Sequence, residues 1–277
     1  MLNITKKEMI LINELIQVET ANKQDKIIRY VIEANKDEKA LLVEAFQPNG
    51  KFAVFLRKKI PDLDESFNIP IENSVEFGEI LSKVIDTNEI TIKIEKNKVI
   101  LENKKDTIEL PFFEESKTEI ERKKTLQGFF ETKKYGNATN MLTLYERENK
   151  DDPNPDAKCK LDLKKLNIKN ITSIFNKGAV EISAKDEKFF LTIGGGKRKK
   201  SKNITRIIEK EEDKEEFKID GECSILLQDI NCISMLSKSD GITYIDMKKE
   251  FPMVLKKKFP DENIGVCYSV SLLEESE

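Results

Sequence analysis

The feature that most constrains the fold is a series of elements that occurs twice in the same order. Near the C-terminus, Leu236-Ser237-Lys238 reads as the end of a short helix and Ser239-Asp240-Gly241 as a turn. Strands Ile242–Lys248, Met253–Phe259 and Val266–Leu273 follow, with Pro260-Asp261-Glu262-Asn263 turning between the last two. Earlier, Leu81-Ser82-Lys83 ends a short helix, Asp86-Thr87-Asn88 turns, and Ile90-Thr91-Ile92-Lys93-Ile94-Glu95 alternates as a strand. Strands Val99–Glu102 and Thr107–Phe112 complete that copy. Two copies point to a duplicated domain, because an array of stacked repeats needs at least three units.

The 277 residues leave room for two such domains. At 38% hydrophobic residues there is enough apolar surface for two cores. No apolar run approaches the ~18 residues of a membrane span. The first residues, Met1 to Glu8, carry charge early and lack the apolar stretch of a secretory signal. Cys159, Cys223, Cys232 and Cys267 have no Cys-x-x-Cys spacing and read as buried thiols of a reducing compartment.

Histidine is absent. That removes the commonest general base and the commonest metal ligand, and with them every catalytic triad built on imidazole. No cofactor or metal site and no catalytic cluster is expected. Charged residues make up 36% of the chain, yet 48 basic and 51 acidic side chains leave a net charge of only −3. Either the surface is uniformly salt-laced, or charge is segregated, with one basic face against an acidic remainder.

In chain order, Lys6 to Glu19 has Met9, Ile12, Leu15, Ile16 and Val18 near helical spacing, with Thr5 placed to cap. Strands are expected at Lys26–Ala34, Ala40–Phe46, Phe52–Ile60 and Phe67–Ile71, and a helix at Val75–Ile85 capped by Asn73 or Ser74. Residues 114–157 are polar, lack a clean period and end in Asp152-Pro153-Asn154-Pro155-Asp156, which is linker chemistry. Beyond them come a strand at Lys158–Leu163, a helix from about Lys164 to Asn176, and strands at Ala179–Ala184, Lys188–Ile193, Ile204–Glu209 and Glu216–Gly221. A helix at Ile225–Ser237 precedes the second copy of the series. The expected organisation is an N-terminal domain over 1–113, a connector over 114–157 and a C-terminal domain over 158–277. Each domain is α+β, ordered helix, strands, helix, strands, with short turns that favour antiparallel pairing.

This order, with the run Ile69-Pro70-Ile71-Glu72-Asn73-Ser74-Val75-Glu76-Phe77-Gly78-Glu79-Ile80-Leu81-Ser82-Lys83 and the C-terminal Phe251-Pro252-Met253-Val254-Leu255 and Tyr268-Ser269-Val270-Ser271-Leu272-Leu273-Glu274-Glu275, resembles the DNA sliding clamp family of proliferating-cell-nuclear-antigen type. The resemblance covers roughly 65–113 and 158–275; the first 60 residues agree in element order, and the connector is longer than the family's usual one. It implies a clamp fold: two similar domains per subunit, antiparallel sheets outside, helices lining a central hole, and usually three subunits in a ring. The implied function is a processivity factor, not an enzyme. It would encircle duplex DNA without reading sequence and tether DNA polymerase and other clients after opening by a clamp loader. The implied location is the cytoplasm or nucleoid, or the nucleus in a eukaryote.

Inner helices must offer cations to phosphates without touching base edges, so that the ring slides. Lys6, Lys7, Lys83, Lys164, Lys165, Lys169, Lys177 and Lys238 lie on or beside the expected helices. Ordinary solvated helix faces are the alternative, and Glu8, Glu14 and Glu79 interrupt a basic face. Ring closure in the family pairs edge strands. Here these would be Lys105–Phe113, through Thr107, Ile108 and Leu110, and Asn203–Glu209, through Ile204, Arg206 and Ile208; a local loop over each edge is the alternative. The family's client pocket maps to Leu142, Leu144, Pro252, Val270 and Leu272.

Lys123-Lys124-Thr125-Leu126-Gln127-Gly128-Phe129-Phe130 resembles the peptide by which clients dock on clamps, with Leu126, Phe129 and Phe130 in the apolar positions and Lys123 where Gln is usual. Phe129 and Phe130 either anchor the connector onto its own domain or act as a plug. In the second case the chain would be a clamp-like paralogue that regulates another clamp. Gly194-Gly195-Gly196-Lys197 lacks the Walker spacing and reads as a basic hairpin loop. An unrelated α+β enzyme is the third reading, and the missing histidine argues against it.

Overall fold

A computed structural model describes residues 2–17, 27–46, 52–95, 98–111, 120–121, 157–161, 179–186, 188–194, 203–208, 218–219, 223–227, 242–247, 253–259 and 261–270. The chain opens with a strand too short to read from sequence, β1 (Leu2–Thr5), in which Leu2 and Ile4 are buried. Thr5 then caps α1 (Lys6–Ile16). Its hydroxyl accepts the Glu8 N–H at 3.2 Å, and the Glu8 carboxylate accepts the Thr5 N–H at 3.0 Å. This capping box satisfies two donors that a helix start leaves without partners. Met9, Ile12, Leu15 and Ile16 form the buried stripe, as their spacing predicts.

Strands β2 (Tyr30–Asn35), β3 (Ala40–Phe46), β4 (Phe52–Lys59) and β5 (Phe67–Ile71) follow. Asn73 caps α2 (Ser74–Glu79) by accepting the N–H groups of Val75 and Glu76. The helix continues as a π-helical turn over Ile80–Val84, closed by the Ile85 N–H on the Ile80 carbonyl. Ser82 Oγ donates to the Gly78 and Glu79 carbonyls, which occupies acceptors of the regular ladder. Gly78 stands where α2 crosses α1. A Cβ there would lie 2.7 Å from Asn13 Nδ2. Asn13 is buried but satisfied: it donates to the Ser74 carbonyl and accepts from the Tyr30 hydroxyl. Burial pushes the Tyr30 phenol up, so it remains a donor.

β6 (Glu89–Glu95), β7 (Lys98–Glu102) and β8 (Thr107–Pro111) join β1 in a sheet of order β1-β6-β7-β8. The second half supplies β9 (Ala157–Leu161), β10 (Ala179–Lys185), β11 (Lys188–Gly194), β12 (Asn203–Ile208) and β13 (Lys218–Ile219). β14 (Cys223–Leu227), β15 (Ile242–Met247), β16 (Met253–Phe259) and β17 (Ile264–Val270) complete it.

The duplication is visible in the sheets. The order β9-β15-β16-β17 repeats β1-β6-β7-β8, and β12-β11-β10-β14 repeats β4-β3-β2-β5. All pairings are antiparallel. The halves meet where β17 pairs with β4 along its whole length, from Ile264↔Lys58 to Val270↔Phe52. This seam makes one nine-stranded sheet, β13-β9-β15-β16-β17-β4-β3-β2-β5.

One element differs from expectation. The start of the helix expected at Ile225–Ser237 is strand: Ile225 stands opposite Ile182 and Leu227 opposite Val180. A short apolar run cannot be assigned by period alone, and β10 provides the ladder that decides it. Residues 228–237 and the helix expected at 164–176 lie outside the described residues. Smaller differences are at ends: α1 stops at Ile16, β2 begins at Tyr30, and β17 begins at Ile264.

Candidate nucleic-acid face and sheet edges

The solvent side of the α1–α2 pair exposes Lys7, Glu14, Glu76, Glu79 and Lys83. Lys7 Nζ, its side chain 77% exposed, pairs with Glu262 Oε1 at 3.1 Å. Lys83, at 69%, pairs with Glu79 at 3.0 Å, one helical turn away. Lys6 is placed differently. Its Nζ donates to the Ile85 and Ser82 carbonyls, at the C-terminal end of the π-helical turn, where orphan carbonyls and the helix dipole favour a cation. The described part of this face is therefore mixed in sign, and its two exposed lysines are paired within the chain. Lys164, Lys165, Lys169, Lys177 and Lys238 lie outside the described residues.

Among the described residues, the strands expected at subunit contacts are both sheet edges. On β8, Thr107 is exposed while Ile108 and Leu110 pack partly against the core. On β12, Ile204, Arg206 and Ile208 stand in register with Ile193, Leu191 and Phe189, whose side chains are buried. Sequence reading missed Ile207, on the opposite face of this edge and 53% exposed. Of the expected client pocket, Val270 ends β17 opposite Phe52 and Met253. Leu142, Leu144, Pro252 and Leu272 lie outside the described residues, as do Lys123, Leu126, Phe129 and Phe130.

At the seam, Lys58 is buried, its side chain 4% exposed. Its Nζ donates to Glu8 Oε1 at 2.6 Å and to the Glu262 carbonyl at 2.8 Å. Burial alone would raise the Glu8 carboxyl. Hydrogen bonds from Lys58 and Thr5 outweigh that and hold it below its ordinary value. Nearby, Tyr268 Oη donates to the Leu15 carbonyl at 3.0 Å, and the Lys59 N–H donates to the Asn263 carbonyl at 3.1 Å. The sequence signal for Lys58 is phase, since it follows Val54 and Leu56 on the buried side of β4. A cleft of about 460 Å³ opens beside the seam, with Ile10, Leu11 and Phe259 on its apolar side. Among the described residues no cluster of His, Cys, Asp or Glu could hold a metal ion, and no helix is long and apolar enough to cross a membrane.

Two similar halves, each with paired four-strand orders and joined by a continuous sheet, define the DNA-clamp fold. A solved structure of A. fulgidus PCNA bound to the C-terminal region of FEN-1 aligns over 99% of this chain and 98% of that one, with a TM-score of 0.65 at 14% identity. PCNA from Entamoeba histolytica aligns over 98% and 96%, with a TM-score of 0.61 at 13% identity. No protein-family model and no curated protein sequence matches the chain.

Proposed function

We propose that this protein is a sliding clamp: a non-enzymatic ring around duplex DNA that tethers polymerases and other clients. The observation that carries the reading is the internal seam. β17 and β4 already form, within one chain, the joint that β8 and β12 would form between copies, because β8 occupies the place of β17 and β12 the place of β4 in the repeated sheet orders. Thr107, Ile108 and Leu110 would then lie against Ile204, Arg206 and Ile208 of a neighbouring copy. An antiparallel pair of edges satisfies the backbone groups that each leaves open. Repeating one joint at regular angles closes a ring, and three two-domain chains are the number the family resemblance implies.

Duplex DNA would run along the helical face. Lys7 and Lys83, with Lys164, Lys165, Lys169, Lys177 and Lys238, would supply sequence-independent phosphate contacts, and binding would weaken steeply with salt. The client pocket would include Val270 together with Leu142, Leu144, Pro252 and Leu272. Client docking is supported by the neighbour that is bound to the C-terminal region of FEN-1.

The test is solution mass by light scattering across a concentration series, followed by retention on closed circular DNA against linear DNA. A species of three chain masses, retained on circles and lost from open ends, is the expected result. A chain that stays monomeric at high concentration overturns the homomeric ring.

A further inference from the structure

The seam between the halves carries a feature not found at the β8 and β12 edges among the described residues. β16 and β17 are seven residues each, whereas their counterparts β7 and β8 are five. The longer hairpin brings the Asp261–Asn263 turn to the start of α1. There Lys58, in a strand of the first half, donates at once to a side chain of α1 and to a main-chain carbonyl of the second half. Glu8 divides its two oxygens. Oε2 closes the capping box with Thr5, and Oε1 receives Lys58. A nearly dry ammonium is costly without such partners, so the Lys58 contacts hold only while the hairpin turn stays against the start of α1. On β12, Ile208 stands opposite Phe189, the first residue of β11 in the main core cluster, as Lys58 stands opposite Leu41, the first residue of β3 in that cluster. The corresponding place on the free edge is thus aliphatic.

We propose that Lys58 is a positioning residue, a latch that fastens the β16–β17 hairpin of the second half to α1 of the first and makes this seam the rigid joint of the molecule. Its corollary rests on the ring reading: copies part at the β8 and β12 edges while the seam stays shut. The groups that face Lys58 are Glu8 of α1 and the Glu262 carbonyl of the turn, and the Glu262 carboxylate is held by Lys7.

The experiment is hydrogen–deuterium exchange on the full chain, read by mass spectrometry for residues 53–59 and 264–270, with solution mass measured in parallel. Lys58→Met is expected to speed exchange in both seam strands by about tenfold or more while leaving β6, β7 and β8 within about twofold. Glu8→Gln, which keeps a hydrogen-bonding oxygen, is expected to give a smaller change confined to the same strands. Lys58→Met combined with Glu8→Gln should exchange no faster than Lys58→Met alone, since one partnership is lost only once. Glu262→Ala keeps the main-chain carbonyl and should leave the seam unchanged.

Unchanged seam exchange in Lys58→Met, or acceleration spread evenly over both sheets, overturns the latch. If Lys58→Met does not fold, Glu8→Gln carries the test: acceleration confined to the seam upholds the latch, and exchange unchanged or raised everywhere overturns it. A monomer with a latch-dependent seam overturns the ring and not the latch. A trimer with a latch-independent seam does the reverse.

Discussion

The sheets β1-β6-β7-β8 and β9-β15-β16-β17 are the same object used in two ways. Among the described residues the first ends at β8, an edge; the second runs on through β17 into β4. Their strand order and direction agree, so backbone geometry alone does not decide which edge is sealed. Side chains do. The sealed seam adds two residues to each strand of its hairpin, a buried lysine, and a tyrosine hydroxyl anchored to a helix carbonyl. The edge strands each carry one charged residue, Glu109 on β8 and Arg206 on β12, with Glu109 paired on the surface to Lys98 of β7 and Ile207 half-exposed. A joint made once during folding would therefore differ from the proposed joint between copies in whether polar groups are trapped within it.

Substitutions can break that contrast from either side. The largest effect is expected for Lys58→Met: it takes a charged hydrogen-bond partner from the part-buried Glu8 carboxylate, at a cost of about 2.5 kcal/mol, read as a lower midpoint in urea unfolding. Ile207→Asp attacks the other joint. It should leave the unfolding midpoint of the separate chain unchanged but weaken self-association by about 2 kcal/mol, roughly thirtyfold, in a dilution series of solution mass. Thr5→Ala removes the cap of α1 and one donor to Glu8. A loss of about 1 kcal/mol is expected, and seam exchange should rise with it.

Acid provides a finer probe. Glu8 is held below its ordinary 4.5, so its contribution is fully present above that pH and is lost as pH falls through the lowered value. Between neutral pH and pH 5 the seam should be constant, and below about pH 4.5 it should loosen. Lys58→Met should flatten that acid limb. The smallest effect is expected from Lys98→Ala. Its pair with Glu109 is more than half exposed, and a change of at most ~0.5 kcal/mol in unfolding is predicted.

Local periodicity made much of the frame legible. Met9, Ile12, Leu15 and Ile16 mark the buried side of α1, and the bounds of β3, β5 and β16 follow from alternation and flanking turn residues. The repeat of a strand opened by Ile-Thr and followed by two more foretold the duplicated sheet order. What escaped was whatever depends on a distant partner. β1 is strand because β6 lies beside it, and Ile225 to Leu227 are strand because β10 does. Asn13 looks like a surface residue until Tyr30 and Ser74 are seen to enclose it. For the site, helix faces and edge strands were readable as positions, but the engagement of Lys6 with carbonyls and of Lys7 with Glu262 was not. Those partners come from residues far along the chain.

That engagement bears on how such a ring would travel. Lys7 and Lys83 each rest against a carboxylate of their own chain. In the proposed ring, a phosphate arriving at either lysine would displace that carboxylate, and one leaving would let it return. The exchange is between two anions of similar strength, so little free energy separates a lysine on a phosphate from a lysine between phosphates. A bore lined this way would have shallow wells along its axis. Its grip on the duplex would be topological, and its friction low.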